Sequence, residues 1–286
     1  MTELRALVAE ELSLPVDARV GVMAAAIAAK HAPASRAVLF YGSCLREREL
    51  DGRMLDFYLI VSDYRAAYGR SWLAAANRLV PPNVFYFEKD GLAAKYAVLS
   101  EADFHRLNGP ETSSVSVWAR FAQPSRLVWA ADDAARNGAI DAVSRAAPTV
   151  LAAAGRIEGE EPLALWRRAF DLTYSAELRA ERKGRSQSVV DMDPERYRRF
   201  APPALAAAQS MRIPGNWAWR RFEGKALSVL RLAKASATFA GGADYIAWKI
   251  NRHAGMNIEL KPWQRRWPLL AAISLLPRLL SSGAVR

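Results

Sequence analysis

The sequence predicts an α+β protein, a mixed amino-terminal half followed by a mainly helical carboxyl-terminal half. Three observations carry that expectation. Short apolar runs of strand length, bounded by turn residues, recur up to residue 130. After Pro148 the patterns are mainly helical. Charge divides at the same place: residues 1–150 hold 17 basic and 17 acidic side chains, and residues 151–286 hold 23 and 12, so the second half carries the whole net charge of +11. These shifts predict units over 1–148 and 149–260, with an amphipathic segment over 261–286.

Val16 to His31 (VDARVGVMAAAIAAKH) predicts an Ala-rich helix, with Pro15 near its start and Pro33 past its end. Ala37 to Tyr41 is a short strand stopped by Gly42-Ser43. Asp51-Gly52 marks a turn, and Met54 to Val61 (MLDFYLIV) reads as the best buried strand in the chain. Ala66 to Val80 predicts a helix ended by Pro81-Pro82. Val84 to Glu88 and Leu92 to Leu99, joined by Lys89-Asp90-Gly91, predict a hairpin. Ser100 suits the cap of a short helix after it. Ser125 to Ala130 predicts one more strand, and Asp132 to Ala146 a helix. Beyond Pro148, helices are expected over Pro162 to Lys183, Asp193 to Phe200, Gly224 to Ala240 and Ala243 to Arg252.

Composition removes several classes of function. A hydrophobic share of 51% with 24% charged residues describes a chain that folds around a core. The single Cys44 excludes a disulfide framework or Cys-rich zinc module and suits a reducing, cytosolic compartment. His31, His105 and His253 are too scattered to suggest a His-built metal site. Glu3, Glu10 and Glu11 stand where a signal peptide needs basic and apolar residues. The longest apolar stretch, Pro268 to Leu280, is interrupted by Pro277 and Arg278. It falls short of the roughly 18 residues of a membrane span and suits a surface segment instead. The basic half points to a polyanion, either nucleic acid or an anionic membrane.

The sharpest motif is a strand ending in Gly42-Ser43, then a strand bearing Asp56 thirteen residues after Ser43. It resembles the skeleton of a polymerase-β-type nucleotidyltransferase core. A Gly-Ser turn opening a helix offers N–H groups and a hydroxyl to triphosphate oxygens, and glycine lets the backbone approach. A carboxylate on the adjacent strand suits Mg²⁺. Read without the rest of the chain, Gly-Ser and one Asp are equally a plain turn beside a partly buried acid. The superfamily's second carboxylate, two residues after the first, is replaced by Tyr58. Asp63 has the opposite strand parity, and Glu88 and Glu177 are other carboxylates for the second metal position.

With Phe40-Tyr41-Gly42-Ser43, Met54-Leu55-Asp56-Phe57 and Lys95-Tyr96-Ala97-Val98-Leu99-Ser100 in order, more of the chain resembles one family, the mitochondrial translocator-assembly-and-maintenance phosphatidate cytidylyltransferases, as a compact bacterial-type member. The resemblance rests on Phe40-Tyr41-Gly42-Ser43, Met54-Leu55-Asp56-Phe57, Val61-Ser62-Asp63, Phe85-Tyr86-Phe87 and Lys95-Tyr96-Ala97-Val98-Leu99-Ser100. Ala119-Arg120 with Gln123-Pro124, and Leu172-Thr173-Tyr174-Ser175-Ala176-Glu177-Leu178-Arg179, extend it, so that it spans roughly residues 38–200. It departs from the family at Pro81-Pro82-Asn83 and in lacking a His-Tyr-Ser segment. The resemblance implies an α+β enzyme that joins CTP to phosphatidic acid with Mg²⁺, yielding CDP-diacylglycerol and pyrophosphate. It assigns Gly42 and Ser43 to the triphosphate, Asp56 and Asp63 to catalysis and the metal, and Lys95 and Arg120 to phosphate contacts. Tyr174, Ser175, Glu177 and Arg179 would close the cleft from the second half. On the residues alone, Lys95 is equally a solvated strand residue, and Tyr174 and Arg179 are equally helix packing and surface charge.

The carboxyl terminus places Trp263, Arg265, Arg266 and Trp267 ahead of an apolar run. Trp at headgroup level, Arg on lipid phosphate and Leu in the acyl boundary make it a membrane anchor on the inner, cytoplasmic face. Packing of Leu269 to Leu280 into a core is the plainer alternative. Interleaved Trp and Arg also suit nucleic acid, which ranks second because it has no need of the apolar run.

Overall fold

The computed structural model describes residues 2–47, 49–177, 189–213, 215–238, 259 and 261–266. Its centre is a five-stranded sheet of order β3-β4-β2-β1-β5, with β1 at Ser35–Tyr41, β2 at Met54–Val61, β3 at Asn83–Lys89, β4 at Leu92–Ser100 and β5 at Ser125–Ala130. β1 runs antiparallel to both β2 and β5, β3 antiparallel to β4, and β2 parallel to β4. The fold is therefore α+β with a mixed sheet.

Strand alternation sends side chains to two different cores. On one face Val38, Phe40, Phe57, Leu59, Val61 and Val98 pack with Val20, Met23 and Ile27 of α2 (Ala18–Ala29). On the other, Leu39, Tyr58, Ile60, Ala97 and Leu99 join a larger cluster. β2 is covered on both faces, which is why its sequence is almost continuously apolar. α1 (Thr2–Ser13) is an addition to the expected elements; its signal is Leu4, Val8 and Leu12 at a spacing of four, all buried. α3 (Ser43–Glu47) follows β1 directly.

The helix expected over Ala66 to Val80 is two helices, α4 (Tyr64–Tyr68) and α5 (Ser71–Leu79). Gly69 breaks them in the left-handed region at φ 59°, its N–H returning to the Arg65 carbonyl. Ser100 does cap α6 (Glu101–Leu107), accepting from the Asp103 N–H. α7 (Trp118–Phe121) precedes β5, and α8 (Asp133–Ser144) starts on Asp132 as its cap.

Pro148 lies buried inside α9 (Ala146–Ala154), and the larger cluster runs from Leu4 to Ala204 through helices on both sides of it. α10 (Pro162–Ala176) ends where Glu177 turns extended. Residues 178–183 of the helix expected there lie outside the described residues, as do Ala243 to Arg252 and Leu269 to Leu280. α11 (Pro194–Ala208) runs past Phe200 and through Pro202 and Pro203. Proline costs an interior hydrogen bond, and burial of Ala201, Pro203 and Ala204 offsets it. α12 (Trp217–Thr238) begins a full two turns before the expected Gly224, on an Asn216 side chain that accepts from the Trp219 N–H. Among the described residues no single helix is long and apolar enough to cross a membrane.

Candidate active site

The strand register aligns Ser125, Tyr41, Asp56, Lys95 and Tyr86 in one row across β5, β1, β2, β4 and β3. Directly paired residues project to the same face, here the face of Tyr58 and the larger cluster. The row is polar where its inner neighbours Leu39, Tyr58 and Ala97 are buried, so it forms the border of that core. Lys95 Nζ stands 2.9 Å from Asp56 Oδ1, with the two side chains 28% and 17% exposed. Ser125 Oγ is buried and has no hydrogen-bond partner among the described residues.

Gly42 follows Tyr41 at φ +95°, and a Cβ there would stand 2.7 Å from Asp56 Oδ2. Both the backbone angle and the space demand glycine. The turn thus runs bare along the carboxylate before Ser43 opens α3. Cys44 pins α3 to β2 by donating its Sγ hydrogen to the Met54 carbonyl over 3.4 Å. Gly42→Ala is expected to lower stability by about 1–3 kcal/mol and to push the Asp56 carboxylate aside; urea denaturation and the assay below read the two effects separately.

Arg120 reaches the row from α7. Its Nη1 donates to Tyr58 Oη and to the Ser116 carbonyl, each at 3.1 Å, and its guanidinium lies 5.1 Å from the Tyr41 ring centre. Burial works against its charge, but Tyr41, Tyr58, Glu177 and Asp56 together outweigh burial and hold its proton well above the ordinary range. Burial in turn pushes the Tyr41 phenol far up, with Arg120 opposing. Tyr41 therefore stays a neutral phenol beside a permanent cation.

The structure brings Gly42, Ser43, Asp56, Lys95 and Arg120 to one place, with Glu177 in electrostatic reach at the end of α10. Tyr174 packs against the larger cluster, whereas Ser175 is exposed and donates back to the Leu172 carbonyl of its own helix. Arg179 lies outside the described residues. The pairing of Asp63 with Asp56 as joint metal ligands is corrected. Roughly 16 Å of strand, at about 3.3 Å per residue, separates Asp56 from Val61 at the other end of β2, and Asp63 lies two residues beyond that end. There it caps α4, accepting from the N–H groups of Arg65 at 2.8 Å and Ala66 at 3.0 Å. Glu88 is exposed on edge strand β3, accepting from Tyr86 Oη. Trp263, on α13 (Pro262–Arg266), is 44% exposed; the side chains of Arg265 and Arg266, and Trp267, lie outside the described residues.

Sequence reasoning missed Tyr41, Ser125 and two cations of α12, Arg231 and Lys234. Arg231 Nε donates to the Pro81 carbonyl over 2.8 Å, and Lys234 donates to the Val80 carbonyl. Burial, then the Arg231 charge, pushes Lys234 down to about 7. The unfolded chain holds that proton up to about 10, so between the two values it binds more protons than the folded chain. Stability is therefore expected to rise with pH across that window. Lys234→Met flattens the rise, as read from urea midpoints at stepped pH. No model of a known protein family matches the chain, and a search of curated proteins finds none that matches it.

Proposed function

We propose that the chain is a Mg²⁺-dependent nucleotidyltransferase with a polymerase-β-type core, and that it transfers the cytidylyl group of CTP to phosphatidic acid. The products are CDP-diacylglycerol and pyrophosphate, made at the cytoplasmic surface of a membrane. The observation that carries this reading is the side-chain-free turn of Gly42, which lies against Asp56 with Ser43 opening the next helix. Together they offer backbone N–H groups, a hydroxyl and a carboxylate where a triphosphate with its cation needs them.

Asp56 is a hard oxygen donor, and a cation bound through one or two carboxylates plus substrate phosphates is the ordinary habit of Mg²⁺. When bound, Mg²⁺ offsets triphosphate charge and eases departure of pyrophosphate. Lys95 holds Asp56 in place and adds a positive charge to the row, and Arg120 supplies a fixed cation from the other side. An oxygen of the lipid phosphate attacks the α-phosphorus of CTP as the bond to pyrophosphate breaks. That oxygen is already anionic, so positioning and charge suffice without a general base. The neutral Tyr41 phenol is consistent with this, since it has no proton vacancy to fill. The basic second half suits an anionic surface carrying the lipid.

The test is the purified chain with Mg²⁺, labelled CTP and phosphatidate vesicles, with labelled CDP-diacylglycerol as the expected product. Turnover with tRNA or another acceptor in its place would replace the lipid. Failure to bind any nucleotide would remove the enzymatic reading altogether.

A further inference from the structure

Transfer between a triphosphate and a phosphate monoester brings two anions together, and Gly42, Ser43 and Lys95 account for one. The contact between α12 and the loop before α7 gathers further cations beside the row that holds Lys95. Gly224 of α12 packs against the Ala176 carbonyl so closely that no Cβ would fit. That contact fixes α12 beside the end of α10, where Glu177 leaves the helix. Two turns along the same face of α12 stands Arg231. Its Nε is held by the Pro81 carbonyl, and its Nη2 reaches Ser114 Oγ at 3.4 Å. Ser114 Oγ lies 3.4 Å from Ser116 Oγ, and the Ser116 carbonyl accepts from Arg120 at 3.1 Å. One loop therefore holds two guanidiniums, and Arg120 stands at Tyr58, two residues from Asp56 on the same face of β2.

We propose that Arg231 and Arg120 together seat the phosphate monoester of the acceptor, on the Tyr58 side of Asp56. The assignment rests on the nucleotidyltransferase reading and adds the acceptor side of that site. Two half-buried like charges repel, and burial and Arg120 both weaken the proton affinity of Arg231, against Glu177 and Tyr58. Arg120 has Glu177 and Asp56 to favour its charge, whereas Arg231 is left short of counter-charge, and an anion beside it would supply the missing partner. Nε and Nη2 of Arg231 are held by protein oxygens, and Nη1 is the corner of the guanidinium assigned to the phosphate. Guanidinium and phosphate match in charge and in paired hydrogen bonds, and a monoester carries close to two negative charges near neutrality.

The experiment measures initial rates with soluble short-chain phosphatidate and CTP, each varied at saturation of the other. Arg231→Gln is expected to raise the KM for phosphatidate by about tenfold or more, leaving the KM for CTP within about twofold of wild type. Arg231→Lys keeps the charge without the planar fork, and its acceptor KM is expected to fall between the two. If circular dichroism shows Arg231→Gln unfolded, the lysine variant decides by the same split between the two KM values. An acceptor KM unchanged in the folded variants, or equal rises in both constants, overturns the assignment while the nucleotidyltransferase reading stands. A wild-type chain that binds CTP yet never consumes phosphatidate overturns both.

Discussion

Asp56→Ala is expected to lower the proposed formation of CDP-diacylglycerol by about 10³-fold or more, the effect of several kcal/mol of lost charge stabilisation at the transferring phosphate. Asp56→Asn gives a loss of the same order, and it is the sharper variant because it keeps the shape that Gly42 packs against. The expectation follows from the row. Asp56 is its one carboxylate, between the phenol of Tyr41 and the ammonium of Lys95, and its oxygens are divided between Lys95 and the bare turn. The loss belongs to charge and not to folding, because β2 is anchored by Leu55, Phe57, Leu59 and Val61 on one face and Tyr58 and Ile60 on the other. Both variants leave Lys95 without its carboxylate, so CTP binding and thermal melting are measured beside turnover. An Asp56→Asn protein that turns over like wild type takes Asp56 out of the chemistry.

What the sequence made legible follows from how local each signal is. β2 matches its expected bounds from Met54 to Val61 because burial on both faces leaves a long apolar run with one polar break at Asp56. Gly42 was legible because a glycine and an acid at that spacing imply one turn and one strand pairing. Asp63 misled because an acid just past a strand has a second use as a helix cap, and nothing nearby distinguishes that use from metal binding. The row itself was illegible. It depends on the parallel pairing of β2 with β4 and on the return of β5 to β1, which no local pattern encodes. Arg231 belongs to the same class: on a helix whose outward side exposes Trp219, Phe222, Val229 and Leu230, an inward cation runs against the usual amphipathic reading. Its place is fixed by the tight contact at Gly224, a tertiary fact.

Glu11→Gln is expected to lower stability by about 3–5 kcal/mol, more than loss of an exposed ion pair costs. Glu11 of α1 and Arg196 of α11 are 10% and 7% exposed, and Arg196 grips both carboxylate oxygens of Glu11 through Nε and Nη2. Its Nη1 donates to the Ala122 carbonyl at 3.0 Å, and its guanidinium lies 4.4 Å from the Phe200 ring centre. With the carboxylate neutralised, a buried cation keeps its desolvation cost and loses its counter-charge. The double variant Glu11→Leu with Arg196→Met removes both charges and is expected to recover most of the loss, as read from urea midpoints. Recovery has a consequence for the site. Ala122 is the residue after α7, so Arg196 ties the end of the helix that carries Arg120 to α1 and α11. A double variant that is stable yet slow in cytidylyl transfer assigns the buried pair to holding Arg120 in position. One that is stable and fully active limits it to the core. Wild-type stability in Glu11→Gln alone would mean that water reaches the pair, against its burial.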